Sequence, residues 1–112
     1  MTELRKRRCE PCEGGFPAMT PAQASDFMPH VPEWKLREDA KEIERDFKFK
    51  DFVDALAFVN RVGALAEEEG HHPDIELSWG KVGIRLSTHE VRGLSENDFI
   101  LAAKIDMLGN PE

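Results

Sequence analysis

Three histidines give this sequence its clearest capacity for chemistry. His71 and His72 are adjacent and precede Pro73, and His89 follows a stretch of alternating apolar residues. Because an unperturbed imidazole changes charge close to neutral pH, neighbouring imidazoles can supply both an acid and a base to one reaction. Close packing would also discourage all three from being charged at once. The pattern therefore indicates an acid/base site, provided that the fold brings the histidines together.

A β-hairpin between the histidine pair and His89 is the element expected to do this. Its strands are predicted from apolar residues that alternate with polar ones, which are Ile75, Leu77 and Trp79 in the first strand and Val82, Ile84 and Leu86 in the second. A two-residue turn at Gly80-Lys81 would place Trp79 opposite Val82 in the core and His72 opposite His89. The Cβ atoms of that histidine pair would then be about 5 Å apart. We therefore expect the three imidazoles to converge at one end of a sheet.

Helices are predicted on both sides of this hairpin. Residues 51–69 carry apolar side chains every three or four positions and end at Gly70, the expected C-cap. The predicted buried stripe consists of Phe52, Leu56, Val59, Val62 and Ala66. Ser95 and Asp98 have the spacing of a capping box at the start of a final helix. Three carboxylates at residues 67–69 are mildly unfavourable at the negative end of a helix dipole, which calls for an explanation elsewhere in the fold.

The segment before residue 51 completes the predicted fold. Thr20-Pro21 indicates the N-cap and first residue of a short helix that ends near Pro29. Two strands are predicted, at residues 34–36 and 43–49. The element order is therefore α-β-β-α-β-β-α, which indicates an α+β fold with three helices on one face of a four-stranded antiparallel sheet.

Length and charge limit the classes of protein to which the chain can belong. Its 112 residues suffice for one domain, predicted over residues 20–112 behind a flexible arm at residues 1–19. The 15 basic and 22 acidic residues give a net charge of −7, which argues against a nucleic acid as direct partner. No apolar stretch has the length of a membrane span or the form of a signal peptide. We therefore expect a cytoplasmic location without membrane contact.

A single Cys-x-x-Cys pair, Cys9 and Cys12, lies in the predicted arm. A structural zinc site normally needs four ligands, and the sequence contains no further cysteine. Reduced, solvent-facing thiols are therefore favoured over a metal shared between subunits or a redox role.

The spacing of the site residues resembles a known signature. Seven residue types stand at the separations typical of the pterin-4a-carbinolamine dehydratases: Glu67, His71, His72, Pro73, Trp79, His89 and Asp98. The likeness covers about residues 20–108 and includes Trp34 and the segments 49–52, 87–90 and 93–96. Chance is a poor explanation for this many matches at fixed separations.

This resemblance implies a dehydratase that needs neither a metal nor an organic cofactor. Members of the family remove water from 4a-hydroxytetrahydropterin, which aromatic amino acid hydroxylases release, and form the quinonoid dihydropterin. The resemblance implies that His71 and His89 are the acid/base pair and that His72 orients the pterin and shares the proton transfer. A pterin is thus the implied substrate, and a hydroxylase is the implied functional partner in recycling a tetrahydrobiopterin-type cofactor.

The resemblance also implies a set of residues that contact the pterin. This substrate-binding set is Trp34, Gly70, Pro73, Ser87, Thr88 and Glu90. Glu90 is expected to bind the amino and amide hydrogens of the ring, and Gly70 stands where family members often carry an acidic residue. Glu67 and Asp98 are expected to support the histidines from behind.

Other interpretations of these residues stay open. Asp98 has a capping role whether or not it supports catalysis, and Trp34 can pack in the core instead of contacting a pterin. The alternative functions are a non-catalytic dimerisation cofactor or assembly factor on the same scaffold, and a zinc enzyme that uses the histidines as ligands. Exposed strand edges and an uncovered sheet face indicate a homodimer or homotetramer.

Overall fold

Three helices and four strands lie along residues 18–108, the part of the chain that the computed structural model describes. The helices are α1 (Pro21–Phe27), α2 (Phe52–Glu69) and α3 (Glu96–Asp106), and the strands are β1 (Lys35–Leu36), β2 (Ile43–Lys48), β3 (Asp74–Ser78) and β4 (Lys81–Leu86). Short 3₁₀ turns at Met28–His30 and His89–Val91 follow α1 and β4. The predicted element order is confirmed. None of these helices has the length and apolar character needed to span a membrane.

The four strands form one antiparallel sheet in the order β1-β2-β4-β3. One face carries the buried apolar side chains that pack with the helices, which are Ile43, Phe47, Val82, Ile84 and Leu86. The opposite face is charged, and one row across its four strands reads Lys35, Glu44, Arg85 and Asp74. Alternating charges in such a row are favourable cross-strand neighbours, so this face can remain in water. The helices therefore cover one face of the sheet, as predicted.

The hairpin of β3 and β4 has a different register from the predicted one. Its turn is Trp79-Gly80, and Leu77 instead of Trp79 pairs with Val82. Trp79 is consequently 68% exposed, so its predicted place in the core is wrong. A shift of two residues leaves every strand side chain on the same face, and hydrophobic alternation therefore cannot distinguish the two registers. The predicted pairing of His72 with His89 is also wrong, because His72 precedes β3 and His89 begins a turn after β4.

Helix α2 buries a face that overlaps only partly with the predicted stripe. Its buried side chains are Ala55, Phe58, Val62 and Ala66. Phe52 and Leu56 are 42% and 40% exposed. The ring of Phe58 explains the difference, because its centroid lies 4.7 Å from that of Phe47 and 5.1 Å from that of Phe49. Apolar residues occur on more than one face of α2, so period alone does not select the buried face.

Helix α1 begins as predicted. Thr20 Oγ1 accepts from the Gln23 N–H at 3.1 Å, and Gln23 Oε1 accepts from the Thr20 N–H at 2.9 Å, which together form a capping box. Just before it, the Met19 N–H donates to the Leu94 carbonyl at 2.8 Å, so the last residue of the predicted arm contacts the domain. Most of that arm, with Cys9 and Cys12, lies outside the described residues.

The C-terminal end of α2 is fixed to α3 by an ion pair. Lys104 Nζ donates to Glu69 Oε2 at 2.9 Å, and the two side chains are only 17% and 3% exposed. Glu67, two residues earlier at the same helix end, contacts His72. Two of the three carboxylates that oppose the helix dipole, Glu67 and Glu69, therefore bind side chains from other parts of the chain.

Replacing Lys104 with methionine should destabilise the protein, because the Glu69 carboxylate would stay buried without its ammonium partner. We expect the free energy of unfolding at pH 7, measured by urea denaturation, to fall by about 2 to 3 kcal/mol. Lys50→Met is the matched control, since Lys50 makes an exposed pair with Asp54 at 3.8 Å and its loss should change stability by less than about 0.5 kcal/mol. Equal losses in the two variants would contradict this expectation.

Candidate acid/base site

The C-terminal cap of α2 positions His71. Gly70 has a left-handed backbone with φ 67° and ψ 27°, which confirms it as the cap. The His71 N–H donates to the Ala66 carbonyl at 3.2 Å, and the Gly70 N–H donates to the Glu67 carbonyl at 3.3 Å. These bonds are those of a Schellman motif, which satisfies the last carbonyls of the helix. The backbone of His71 is therefore held directly at the end of a helix that packs in the core.

Gly70→Ala should destabilise the protein through backbone strain alone, because a Cβ at Gly70 would meet no atom within 4 Å. The left-handed conformation costs a residue with a Cβ about 1 to 2 kcal/mol. Gly63→Ala, in the middle of the same helix, is the matched control, since a Cβ there also meets nothing within 4 Å. Urea denaturation should show Gly63→Ala stabilising by about 0.5 to 1 kcal/mol. A stabilising Gly70→Ala would show that the cap does not need a left-handed residue.

A buried carboxylate holds the ring of His71. Asp98, at the first turn of α3, is 0% exposed, and its Oδ1 lies 2.6 Å from His71 Nε2. Its Oδ2 accepts from the Thr88 hydroxyl at 2.7 Å and from the Ser95 N–H at 3.0 Å. The contact to Ser95 is the one expected from capping-box spacing. Asp98 therefore caps α3 and binds His71 with the same carboxylate.

The three contacts to Asp98 determine which nitrogen of His71 can take a proton. A carboxylate that already accepts from Thr88 and Ser95 acts as an acceptor toward His71 as well, so Nε2 carries the hydrogen. In the neutral ring the other nitrogen, Nδ1, is then the proton acceptor. The ring is also only 11% exposed, so it has little freedom to turn. This arrangement can present a base of fixed orientation.

The second histidine of the pair is held in a different way. His72 Nε2 lies 2.5 Å from Glu67 Oε2, and the two side chains are 60% and 78% exposed. A pair this exposed to water contributes little to stability. The contact instead orients the His72 ring, because Glu67 limits the directions in which that ring can point. The half-buried Pro73 then leads the chain into β3.

His89 lies in a pocket of about 430 Å³ beside this network. The pocket is lined on one side by Ser87, Thr88 and His89 and on the other by the β1–β2 turn. The Thr88 N–H donates to the Gly93 carbonyl at 2.7 Å and closes the loop that carries His89. Because the Thr88 hydroxyl bonds to Asp98, one residue joins the pocket to the carboxylate that holds His71. Glu90 is exposed on the same loop.

Trp34 lies away from this network. Its Nε1–H donates to Asp106 Oδ1 at 2.9 Å, and its ring packs edge-on against Phe47. Asp106 is eight residues after Asp98 on α3, a rise of about 12 Å along the helix. Burial raises the pKa of the Asp106 carboxyl above its ordinary value, and the Trp34 hydrogen bond and the charge of Arg45 oppose this effect. The structure therefore gives Trp34 a packing and hydrogen-bonding role, while its contact with a pterin remains a prediction.

Some features of the site had no signal in the sequence pattern. Ser95 Oγ lies 2.7 Å from Thr88 Oγ1, which extends the network beyond the predicted capping box. Thr88, expected from the family resemblance to contact the pterin, directs its hydroxyl to Asp98. Within residues 18–108, no three His, Cys, Asp or Glu side chains are arranged to hold a metal ion. The expectation of a reaction without metal or cofactor remains a prediction.

Comparison with known proteins gives the family of the chain. The family described as pterin 4 alpha carbinolamine dehydratase matches residues 17–108, and the chain belongs to this family. The resemblance predicted from the histidines and their acidic partners is thus confirmed. The match spans all of the residues that the structure describes.

Proteins similar to this chain over nearly its whole length come from bacteria. A protein of Halorhodospira halophila is 54% identical over 106 residues, which are 95% of this chain and 97% of the relative. A protein of Methylococcus capsulatus is 47% identical over 105 residues, which are 94% of this chain and 92% of the relative. Both carry the name pterin-4-alpha-carbinolamine dehydratase provisionally.

Two solved structures share the fold. A transcriptional coactivator/pterin dehydratase from Brucella melitensis has a TM-score of 0.76 at 28% identity, covering 81% of this chain and 97% of that chain. A pterin dehydratase-like protein identified as a RuBisCO assembly factor in the alpha-carboxysome has a TM-score of 0.59 at 27% identity, covering 68% of this chain and 88% of that chain. The names of these neighbours include both enzymatic and non-enzymatic functions.

Proposed function

We propose that this protein is a dehydratase that converts 4a-hydroxytetrahydropterin into quinonoid dihydropterin and water, with His71 as base and His89 as acid. Membership of the family supports the substrate class. The observation that carries the proposal is the contact of 2.6 Å between His71 and the fully buried Asp98. A buried carboxylate that accepts three hydrogen bonds, one of them from an imidazole, favours a proton-transfer site over a purely structural cap.

The proposed reaction removes a proton and a hydroxyl from neighbouring atoms of the pterin. His71 Nδ1 takes the proton from N5, and the electrons of the N5–H bond form the double bond between C4a and N5. The bond between C4a and oxygen breaks, and the departing hydroxyl takes a proton from His89 and leaves as water. His71 then loses its proton to solvent and His89 regains one, so the protein ends in its starting state.

The exposure of the three histidines fits this division of roles. His71 is largely buried and rigidly held, which suits a base that must meet N5 in one orientation. His89 is exposed on its loop, which allows it to exchange protons with solvent after each turnover. His72, paired with Glu67 at the surface, orients the pterin between them.

In the cell, this reaction would serve aromatic amino acid hydroxylases. We infer that the protein works in the cytoplasm as a homodimer or homotetramer and recycles a tetrahydrobiopterin-type cofactor. The net charge of −7 and the charged open face of the sheet support a freely diffusing enzyme that acts on a small molecule. The likeness to an assembly factor supports a non-catalytic role as the alternative. The presence of all three histidines together with the buried Asp98 favours catalysis over it.

The proposal is tested by following dehydration directly. A phenylalanine hydroxylase makes 4a-hydroxytetrahydropterin in situ, and the rate at which quinonoid dihydropterin forms is measured with and without the protein. We expect the rate to rise in proportion to protein concentration and to survive dialysis against EDTA. A folded protein that gives no acceleration would overturn the enzymatic proposal. A rate that EDTA abolishes and zinc restores would replace the metal-free mechanism with a metal-assisted one.

A further inference from the structure

The backbone of Thr88 closes the loop that carries His89. Its N–H donates to the Gly93 carbonyl at 2.7 Å, and its carbonyl accepts from the Gly93 N–H at 3.3 Å and from the Val91 N–H at 3.2 Å. Within the loop, the Arg92 N–H donates to the His89 carbonyl at 3.1 Å. Thr88 therefore anchors this loop, and His89 is the residue that follows the anchor.

The hydroxyl of Thr88 bonds to other protein groups. The residue is 0% exposed, and its Oγ1 lies 2.7 Å from Asp98 Oδ2 and 2.7 Å from Ser95 Oγ. A hydroxyl has one hydrogen to donate, and a carboxylate can only accept. The hydrogen of Thr88 therefore goes to Asp98, and the Ser95 hydroxyl donates to Thr88. A pterin in the pocket would find that hydrogen already in use.

A chain of hydrogen bonds consequently links the two proposed proton-transfer residues. It leads from the loop of His89 through the Thr88 hydroxyl to Asp98 Oδ2, and from Asp98 Oδ1 to His71 Nε2. Because Asp98 is 0% exposed, bulk water does not replace a donor that is lost there. One side chain thus fixes the loop of the proposed acid to the carboxylate that orients the proposed base.

We propose that Thr88 is a positioning residue for the dehydration, which acts through Asp98 and His71 instead of binding the pterin with its hydroxyl. The inference rests on the proposed function and gives Thr88 a role other than the substrate contact that the family resemblance implies. Without this hydroxyl the Asp98 carboxylate loses one of its three donors and can turn. The ring of His71 is then no longer restricted to the Nε2–H tautomer, so fewer molecules present Nδ1 to the substrate.

The test compares variants of Thr88 with and without the hydroxyl. Thr88→Val and Thr88→Ala both remove it, and Ala does so without placing a methyl group against Asp98. Thr88→Ser keeps the hydroxyl. The matched control is Thr20→Val, since the Thr20 hydroxyl accepts from the Gln23 N–H at the cap of α1, outside the network.

The first readout is the dehydration of hydroxylase-generated substrate, from which kcat and KM are obtained separately. We expect Thr88→Val and Thr88→Ala to lower kcat about tenfold, the effect of one hydrogen bond between protein groups, and to leave KM unchanged. Thr88→Ser and Thr20→Val should keep kcat within about twofold of the parent. A role in stability alone would not separate kcat from KM in this way.

The second readout is NMR of the nitrogen nuclei of the His71 ring, recorded without substrate at a pH where the ring is neutral. The signals report which ring nitrogen carries the hydrogen. We expect the Nε2–H tautomer alone in the parent, in Thr88→Ser and in Thr20→Val. In Thr88→Val and Thr88→Ala the signals should show a mixture of both tautomers.

A raised KM with unchanged kcat in the variants without the hydroxyl would overturn the inference, because Thr88 would then contact the pterin. A loss of kcat in Thr88→Ser equal to that in Thr88→Val would also overturn it, since the hydroxyl would not be the group that matters. A parent that accelerates dehydration while either result holds keeps the proposed function. If the parent gives no acceleration, the proposed function fails, and an unchanged tautomer of His71 in Thr88→Val and Thr88→Ala would overturn the positioning role separately.

Discussion

His71→Ala should slow the dehydration of 4a-hydroxytetrahydropterin by about 10²-fold or more while the fold persists. The variant removes the ring that Asp98 orients, and with it the proposed acceptor for the N5 proton. His89→Ala should give a loss of the same order, because the departing hydroxyl would have to take its proton from water. The rate constant of dehydration, measured with hydroxylase-generated substrate, checks both variants.

The matched control for these variants is His30→Ala. His30 ends the 3₁₀ turn Met28–His30 and is exposed, and its ring centroid lies 6.1 Å from that of Phe27. Its replacement removes an imidazole without touching the network of Asp98. If His30→Ala slowed the reaction as much as His71→Ala, the losses would reflect general damage and the assignment of His71 would be wrong.

Asp98→Asn should lower kcat by about 10²-fold and leave KM nearly unchanged. An amide group keeps the size of the side chain but cannot accept hydrogen bonds from His71, Thr88 and Ser95 at once. His71 would then adopt other tautomers and orientations, so fewer molecules would present Nδ1 as the base. The variant should also lose about 1 to 3 kcal/mol of stability, because a buried donor stays unsatisfied.

Asp106→Asn provides the matched control for Asp98→Asn. Both carboxylates belong to α3 and both accept a hydrogen bond from an aromatic ring N–H, His71 in one case and Trp34 in the other. Asp106 has no contact with the proposed acid/base residues. We expect Asp106→Asn to change the free energy of unfolding without changing kcat. Parallel losses of kcat in the two variants would show that Asp98 acts through stability alone.

The parts of the fold set by local chemistry could be predicted from the sequence. Thr20 and Pro21 start a helix through contacts within one turn, and Gly70 ends one through its own backbone conformation. The order of helices and strands followed from such signals and from periodicity. The family signature led to the same residues that the structure connects, since Glu67 contacts His72 and Asp98 contacts His71.

The parts that depend on tertiary contacts could not be predicted. A register shift of two residues changes no side chain's face, so the Trp79-Gly80 turn had no signature in the alternation. The buried face of α2 was decided by the rings that meet Phe58, which lie on a different element. The proximity of Lys41 to the His89 loop likewise arises only when the β1–β2 turn meets that loop.

The central claim is that His71, His72 and His89 surround one pterin. It is tested most directly by NMR of the four histidine rings during a titration with 7,8-dihydrobiopterin. We expect the ring signals of these three histidines to shift with one common Kd, while the signal of His30 stays in place. Saturable binding that leaves the signals of His71 and His89 unmoved would contradict the account, because the pterin would then occupy another part of the protein.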